Sequence, residues 1–444
     1  MRLRKQAPVR NIFQHITRRA SRPHSHARPG LARTCLGELG RTHGFSEWVA
    51  RFDSPGKRAI LRRSRERYER GDDMHAFSSV NVFLKREKLL EHGKAARLVS
   101  SRNDTLKCLL GPYIAAMEKV VYQSKWCCKG CNSYTKAQKF AELYGSFSDP
   151  VTIEADYSKF DAHVSEFFLK HIEHAFYTRM CRDPFLREML RYQLTNFCRT
   201  KNGGRYIVRG TRMSGDVNTS LGNGIINYIL WRTLFHRAGI RARILVDGDD
   251  SICVVERSDL AAALQAMETV GEYGFDIKYN VRLDRRDVSF CSGMFIRTNA
   301  GLRYIRAPCN LLRKAPYSVG TFTWLQARRR ARLVSYCEYL CHDNIPVLGA
   351  LAMFWRRAAG SGALDQTDQR YLYRIEVESS AQRSQTIGAE SRDDFYHITG
   401  LSPRRQRWLE ANLNACSGGI DSALPPRVAL YLARCVDWNS WYVD

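Results

Sequence analysis

Apolar and polar residues alternate in two short stretches near the middle of the chain, while the sequence on either side repeats its apolar positions at helical spacing. In VTIEADYSKFDAHV (Val151–Val164), the β-prone Val151 and Ile153 alternate with polar neighbours and lead to Asp156 at a predicted strand end. A helical pattern follows through Phe167, Phe168, His171 and Phe176. It places Asp161 at the helix start, where a carboxylate also serves as a cap. In RILVDGDDSICVVE (Arg243–Glu256), Ile244, Leu245 and Val246 form one strand and Ile252, Val254 and Val255 another. Asp247-Gly248 between them predicts a hairpin turn. An apolar helix, IINYILWRTLF (Ile225–Phe235), precedes the hairpin. Residues 46–150 read as mainly helical, residues 151–310 alternate short strands with helices, and residues 311–444 read as helical. The chain thus combines helical and strand patterns.

Charge sharpens this picture at the N-terminus. The 444 residues carry a net charge of +26, which points to a polyanionic partner, either nucleic acid or an anionic membrane surface. Half of that excess lies in residues 1–70, and Met1–Gly37 contains no acidic residue. This Arg-, Ser-, His- and Pro-rich stretch has little apolar periodicity and reads as a basic arm, ahead of a mitochondrial targeting peptide as second reading. Met1 need not be the natural start of the polypeptide. The longest apolar run, IPVLGALAMFW (Ile345–Trp355), is too short to span a bilayer. The 14 cysteines carry no disulfide framework. Cys127, Cys128 and Cys131, and Cys337, Cys341 and His342, lack an adjacent pair at zinc-finger spacing, so structural or free thiols are the expected reading.

The carboxylates are the candidate chemistry. The hairpin tip carries Asp249 and Asp250 between apolar strands, and burying that charge near a core is costly unless a cation neutralises it. Hard oxygen ligands of this kind suit Mg²⁺. A second Gly-Asp-Asp, at Asp72-Asp73, follows a charged run with no strand before it and reads as a helix end or loop. RGTRMSGDVNTSLGN (Arg209–Asn223) brings Ser214-Gly215, Thr219 and Asn223 ahead of the apolar helix. Gly215 permits a tight loop and close backbone approach to a ligand. Thr219 and Asn223 share a helix face and could meet a sugar hydroxyl; a polar loop that caps the helix through Asn218 or Thr219 is an equal reading.

In this order and spacing the three stretches resemble motifs A, B and C of viral RNA-dependent RNA polymerases: D-x4-D, then SGxxxTxxxN, then GDD. The wording RMSGDVNTSLGN is most similar to the tombusvirus-like, carmovirus-like branch. VFLKREKLLEHGKAARLVSSRND (Val82–Asp104) resembles motif F, with Lys85, Lys94 and Arg97 at matching positions. YGFDIKYN resembles motif D, with Lys278 at the proton-donor position, and VSFCSGMFI (Val288–Ile296) resembles motif E.

The resemblance implies an α+β fold, a right-hand polymerase with fingers, palm and thumb, and an antiparallel palm sheet backed by helices. It implies a basic arm at 1–45, fingers at 46–150 with a fingers insertion at 181–208, palm at 151–180 and 209–310, and a helical thumb at 311–444. It implies Mg²⁺, or Mn²⁺ in its place, on Asp156 and Asp249 with Asp250 in support. Lys85, Lys94 and Arg97 would bind the triphosphate, Asp161, Ser214, Gly215, Thr219 and Asn223 the nucleotide sugar, and Lys278 would protonate pyrophosphate. The implied partners are template and nascent RNA, rNTPs and a membrane-anchored viral replication protein, at membrane-associated sites in the host cytoplasm. Two other readings stay open. A reverse transcriptase also uses palm carboxylates, but usually has an aromatic residue where Asp247 stands. A non-enzymatic basic RNA-binding protein would explain the arm but not the clustered Asp residues.

Overall fold

The computed structural model describes residues 43–52, 54–72, 76–87, 96–315, 319–320, 322–364, 386–416, 426–429 and 432. Most of the basic arm, Asp73 and Lys94 lie outside the described residues. The described chain is mixed α/β, with mostly antiparallel strand pairs and many helices. It divides into two compact units. One comprises residues 1–85, 95–130 and 143–281, and the other residues 86–94, 131–142 and 282–444.

The first unit holds two four-stranded sheets. One has the order β2-β1-β4-β5, built from β1 (Ser79–Leu84), β2 (Leu98–Arg102), β4 (Thr195–Thr200) and β5 (Arg205–Arg209). The β1–β4 pair is parallel, whereas β1–β2 and β4–β5 are antiparallel. Residues 46–150 thus contain a strand pair that their helical pattern did not suggest.

The other sheet has the order β6-β7-β3-β8, from β3 (Pro150–Tyr157), β6 (Ala242–Asp247), β7 (Asp250–Glu256) and β8 (Ile277–Arg282). Strand β7 runs antiparallel to both β3 and β6. Ser251–Val255 are all buried, as befits a strand covered on both faces, which reads as a continuous apolar run rather than an alternating one. The helix Thr219–Arg237 is buried nearly all round, from Leu221 to Phe235, and so lies inside the core. Its Ile226, Leu230 and Trp231 join Val151, Ile153, Ile172, Ile244 and Cys253 in one apolar cluster. The CCKGC stretch extends this sheet: Val246 donates to the Trp126 carbonyl and Cys128 to the Val246 carbonyl, both at 2.8 Å, which explains why Cys127 and Cys128 are buried.

The second unit carries the antiparallel sheet β9 (Ser289–Phe290), β10 (Gly293–Thr298) and β11 (Gly301–Arg306) and helices that include Trp324–His342, Leu348–Ala359, Ala389–Thr399 and Pro403–Ala415. Its core gathers Ile296, Ile305, Leu348, Leu351, Phe354, Phe395 and Leu409. Thr323 and Gln326 form a reciprocal capping box at the start of Trp324–His342. The described part of 311–444 is helical, as the sequence pattern predicts. Asp394 is fully buried and is bound by Arg285 at 2.8 Å, by Arg297 at 3.0 Å and by the Arg297 backbone N–H at 2.8 Å. Burial pushes its carboxyl up, but the hydrogen bonds and charges of Arg297 and Arg285 outweigh that and hold it below the ordinary value.

Candidate active site

Strand pairing brings the predicted carboxylates to one end of the β6-β7-β3-β8 sheet. Asp247 pairs with Asp250 across the hairpin, and Ala155 pairs with Ser251, so Asp156 is the next position beside Asp250. Two residues, Gly248 and Asp249, make the turn. The sequence reading put the turn one position earlier, at Asp247-Gly248. Gly248 has φ of +71° and Asp249 does not share a positive φ, the pattern of a type II′ turn with glycine at its first central position.

A second correction concerns burial. The tip was expected to hold its charge near the core, yet Asp156, Asp249 and Asp250 are all exposed. The buried stretches of the two strands end at Val246 and Ser251, and the hairpin carries its acids beyond them. Asp247 is mostly buried and pairs with Lys129 at 3.2 Å.

One helix face holds this tip in place. Asn223, Asn227 and Trp231 recur every four residues along Thr219–Arg237. The Asn227 amide donates to the carbonyls of Gly248 (3.1 Å) and Asp249 (2.9 Å), while the Tyr157 hydroxyl donates to its Oδ1 at 3.1 Å. Trp231 Nε1 donates to Ser251 Oγ at 2.9 Å. Asn223 Nδ2 donates to Asp161 Oδ1 at 2.8 Å. A single helix thus bonds to both acidic stretches. Lys159, in the left-handed region at φ 51°, turns the chain from β3 into the short helix Phe160–His163 that presents Asp161. Burial raises the Asp161 carboxyl above its ordinary value; Asn223 and Arg212 pull it down, and the negative charge of Asp249 adds to the rise.

The polar loop before the helix is fixed from below. Ser214 Oγ accepts from the Ser100 backbone N–H at 3.0 Å, and Gly215 N–H donates to the Ser100 carbonyl at 2.9 Å. A Cβ on Gly215 would fall 2.7 Å from Ser101 Cα, so glycine is required by this approach. The Thr219 hydroxyl donates to the carbonyls of Met213 (2.9 Å) and Asp216 (3.0 Å). Arg102 grips Asp216 with a buried fork at 2.7 and 3.2 Å. Ser214 and Thr219 therefore shape the loop in addition to any contact they make with a ligand.

Lys85 and Arg97 are exposed at the end of the β1–β2 ribbon, where Lys85 N–H donates to the Arg97 carbonyl at 2.8 Å. Lys278 is exposed on β8, the neighbour of β3. As for metal, Mg²⁺ is commonly held by one or two carboxylates, with phosphate and water oxygens filling the remaining positions. The exposed oxygens of Asp156, Asp249 and Asp250 suit that demand. Among the described residues, no three Asp, Glu, His or Cys side chains stand close enough to cage an ion by themselves.

Several supporting residues escaped the sequence reading. Asn227 and Trp231 were legible as the four-residue continuation of Asn223. Glu173 sits at the end of the π-helical turn Phe168–Glu173, and nothing in its neighbours marks it as an inward-facing acid.

Comparison with known proteins shows the family of the chain. A sequence profile for viral RNA dependent RNA polymerase matches residues 3–418. The chain is 32% identical to the RNA-directed RNA polymerase of Oat chlorotic stunt virus over 382 residues, covering 77% of this chain and 49% of that protein. It is 28% identical to the RNA-directed RNA polymerase of Melon necrotic spot virus over 361 residues, covering 76% and 45% respectively. The enzyme of Groundnut rosette virus matches at 28% over 354 residues, covering 74% and 41%. The chain belongs to the viral RNA-dependent RNA polymerase family. It spans about half, or less, of the length of these curated relatives.

Proposed function

We propose that this chain copies RNA from an RNA template by joining rNTPs, as the catalytic core of viral RNA replication. The observation that carries the reading is the Thr219–Arg237 helix, which bonds to Asp161 through Asn223 and to the Gly248-Asp249 turn through Asn227. Residues 151–180 and 209–310 then serve as palm, 46–150 and 181–208 as fingers, and 311–444 as thumb, with 1–45 as a basic arm.

Asp156 and Asp249 would hold divalent cations, with Asp250 in support. Mg²⁺, or Mn²⁺ in its place, supplies neutralisation of triphosphate charge and acidifies the attacking 3′-hydroxyl when bound. The protein's share is positioning. Asn227 fixes the turn that aims Asp249. Lys85, Lys94 and Arg97 neutralise the triphosphate, and Lys278 protonates the leaving pyrophosphate. Asp161 and Asn223 read the ribose 2′-hydroxyl, which distinguishes RNA from DNA precursors; Ser214, Gly215 and Thr219 hold the loop beside them. Basic surfaces bind the template backbone without reading sequence, so RNA affinity falls steeply with added salt. No helix among the described residues is long and apolar enough to cross a membrane. A membrane-anchored viral replication protein would bring the chain to membrane-associated sites in the host cytoplasm.

The test is incorporation of labelled rNTPs on an RNA template with Mg²⁺, run beside Asp249→Ala. Template-dependent incorporation that disappears in the variant, with RNA binding retained, is expected. Equal incorporation by both proteins would end the assignment.

A further inference from the structure

Behind Asp161 lies a buried ionic and amide cluster that the reaction described above does not use. Glu173 and Arg212 are both wholly buried and form an ion pair through Arg212 Nη2. Arg212 Nε donates to Asn223 Oδ1 at 3.0 Å, and the Arg212 backbone N–H donates to the Asp161 carbonyl at 2.9 Å. Glu173 Oε1 accepts from Asn218 Nδ2 at 2.6 Å and from the Tyr177 hydroxyl at 2.9 Å. Gln193 in turn donates to Asn218 at 2.8 Å. The helix comes so close that a Cβ on Gly222 would fall 2.2 Å from Glu173 Oε1 and 2.4 Å from Arg212 Nη2. Burial works against the Arg212 charge, but Glu173 more than offsets it and raises the guanidinium above its ordinary value.

The chemistry gives this cluster a direction. A guanidinium has only donors, so the Asn223 atom it meets must be the amide oxygen. The amide NH₂ is then turned toward Asp161, as observed. The carboxylate only accepts, so it selects the same amide group; without Arg212 the amide oxygen loses its buried donor and the side chain is held at one end only. The backbone bond from the same residue pins Asp161 as well.

We infer that Arg212, held by Glu173, is a positioning residue for sugar selection: it anchors the Asn223 amide through its oxygen while the amide NH₂ donates to Asp161, and so sets the pair that meets the ribose. The inference rests on the proposed role of Asp161 and Asn223 in reading the 2′-hydroxyl. It assigns Arg212 and Glu173 no contact with nucleotide. A lysine at position 212 could satisfy Glu173 but, as a point charge without the planar fork, would not hold Asn223 at the same time.

The test measures kcat/KM for ATP and dATP in single-nucleotide incorporation by the full chain, with nucleotide Kd from fluorescence titration as a second readout. The proteins are wild type, Asn223→Ala, Arg212→Lys and the Asn223→Ala/Arg212→Lys double variant. Arg212→Lys should lower the ATP/dATP ratio about tenfold, within the cost of a lost hydrogen bond in a buried polar site. The same change in the Asn223→Ala background should shift the ratio no further, because the two residues act as one. Glu173→Gln/Arg212→Met removes both charges together and avoids a stranded buried ion, so it tests the relay if Arg212→Lys does not fold; it should lower the ratio similarly. A wild-type ratio in Arg212→Lys or in the charge-free pair, alongside a lowered ratio in Asn223→Ala, overturns the relay alone. Effects that multiply in the double variant also overturn it. An unchanged ratio in Asn223→Ala overturns the sugar-reading assignment and the relay with it, and leaves RNA synthesis standing.

Discussion

The acidic tip of the β6–β7 hairpin and the Asp394 pocket hold negative charge in opposite ways. At the tip, Asp156, Asp249 and Asp250 are exposed, crowded by strand register and set beyond the apolar core. In the pocket, one carboxylate is fully buried and takes hydrogen bonds from two arginines and a backbone N–H. Charge that serves the fold is matched on the spot, because a stranded buried ion is costly. The tip carboxylates are exposed and repel one another through their proximity, and under the proposed function a bound cation would relieve that repulsion. The two kinds of acid should therefore fail in different assays.

The largest difference is expected between Asp156→Asn and Asp394→Asn. Loss of the Asp156 charge should cut nucleotide incorporation by about 10³-fold or more, on the scale of several kcal/mol for metal-assisted charge stabilisation. Its denaturant midpoint should stay at the wild-type value or rise slightly, since one source of like-charge repulsion is gone. Asp394→Asn should lower unfolding free energy by roughly 3 kcal/mol, the scale for breaking a buried ion pair. Paired denaturant melts and incorporation assays read both. A large stability loss in Asp156→Asn would mean that the tip serves the fold, and would erase the contrast.

How much of this was readable beforehand differs between the same two regions. The tip was legible because its signals are local: alternating apolar residues end in acids, and the Asp-Gly signal falls within one position of the observed turn. Its burial was misjudged, since apolar neighbours in sequence say where the strands are buried and not where the hairpin outruns the core. Asn223 was legible from its spacing to Thr219, and Asn227 could have been found by continuing the period. Asp394 and Glu173 were not legible. Asp394 meets Arg285 and Arg297 about a hundred residues away, and Glu173 meets Arg212 across 39 residues. A single sequence carries no periodicity that links such partners. The β1–β4 pair was missed for the same reason, because its parallel register joins strands separated by more than a hundred residues.

Asn227→Ala sits between the two extremes, because its amide serves the fold and the tip together. It leaves the Tyr157 hydroxyl and two carbonyls of the turn without their partner, at a cost of about 1–3 kcal/mol. The turn that carries Asp249 loosens, and a small misplacement of a reacting group costs roughly tenfold to a hundredfold in rate. Stability and kcat should fall together, with KM for rNTP changing less. A variant that lost stability and kept kcat would show that Asn227 holds the core and not the tip.

The smallest effect is the response to acid, and it isolates the pocket. Asp394 is held below the ordinary carboxylate value, so its contribution to stability is full above the unfolded value of about 3.9 and is lost as pH falls through its lower folded value. Asp284, in the same unit, is held down to about 2 by its hydrogen bond to Arg286 and acts in the same sense, but it is partly exposed and its share is reduced by solvent. Between pH 7 and about 5 the pocket should therefore keep its stability, and the decline should begin only near and below pH 4. Asparagine at position 394 has no proton to gain, so Asp394→Asn should start less stable and lose less on acidification. Denaturant midpoints collected from pH 7 to pH 3 for both proteins read this directly. Parallel curves would show that the acid response belongs to other carboxylates and that the Asp394 pocket contributes by shape alone.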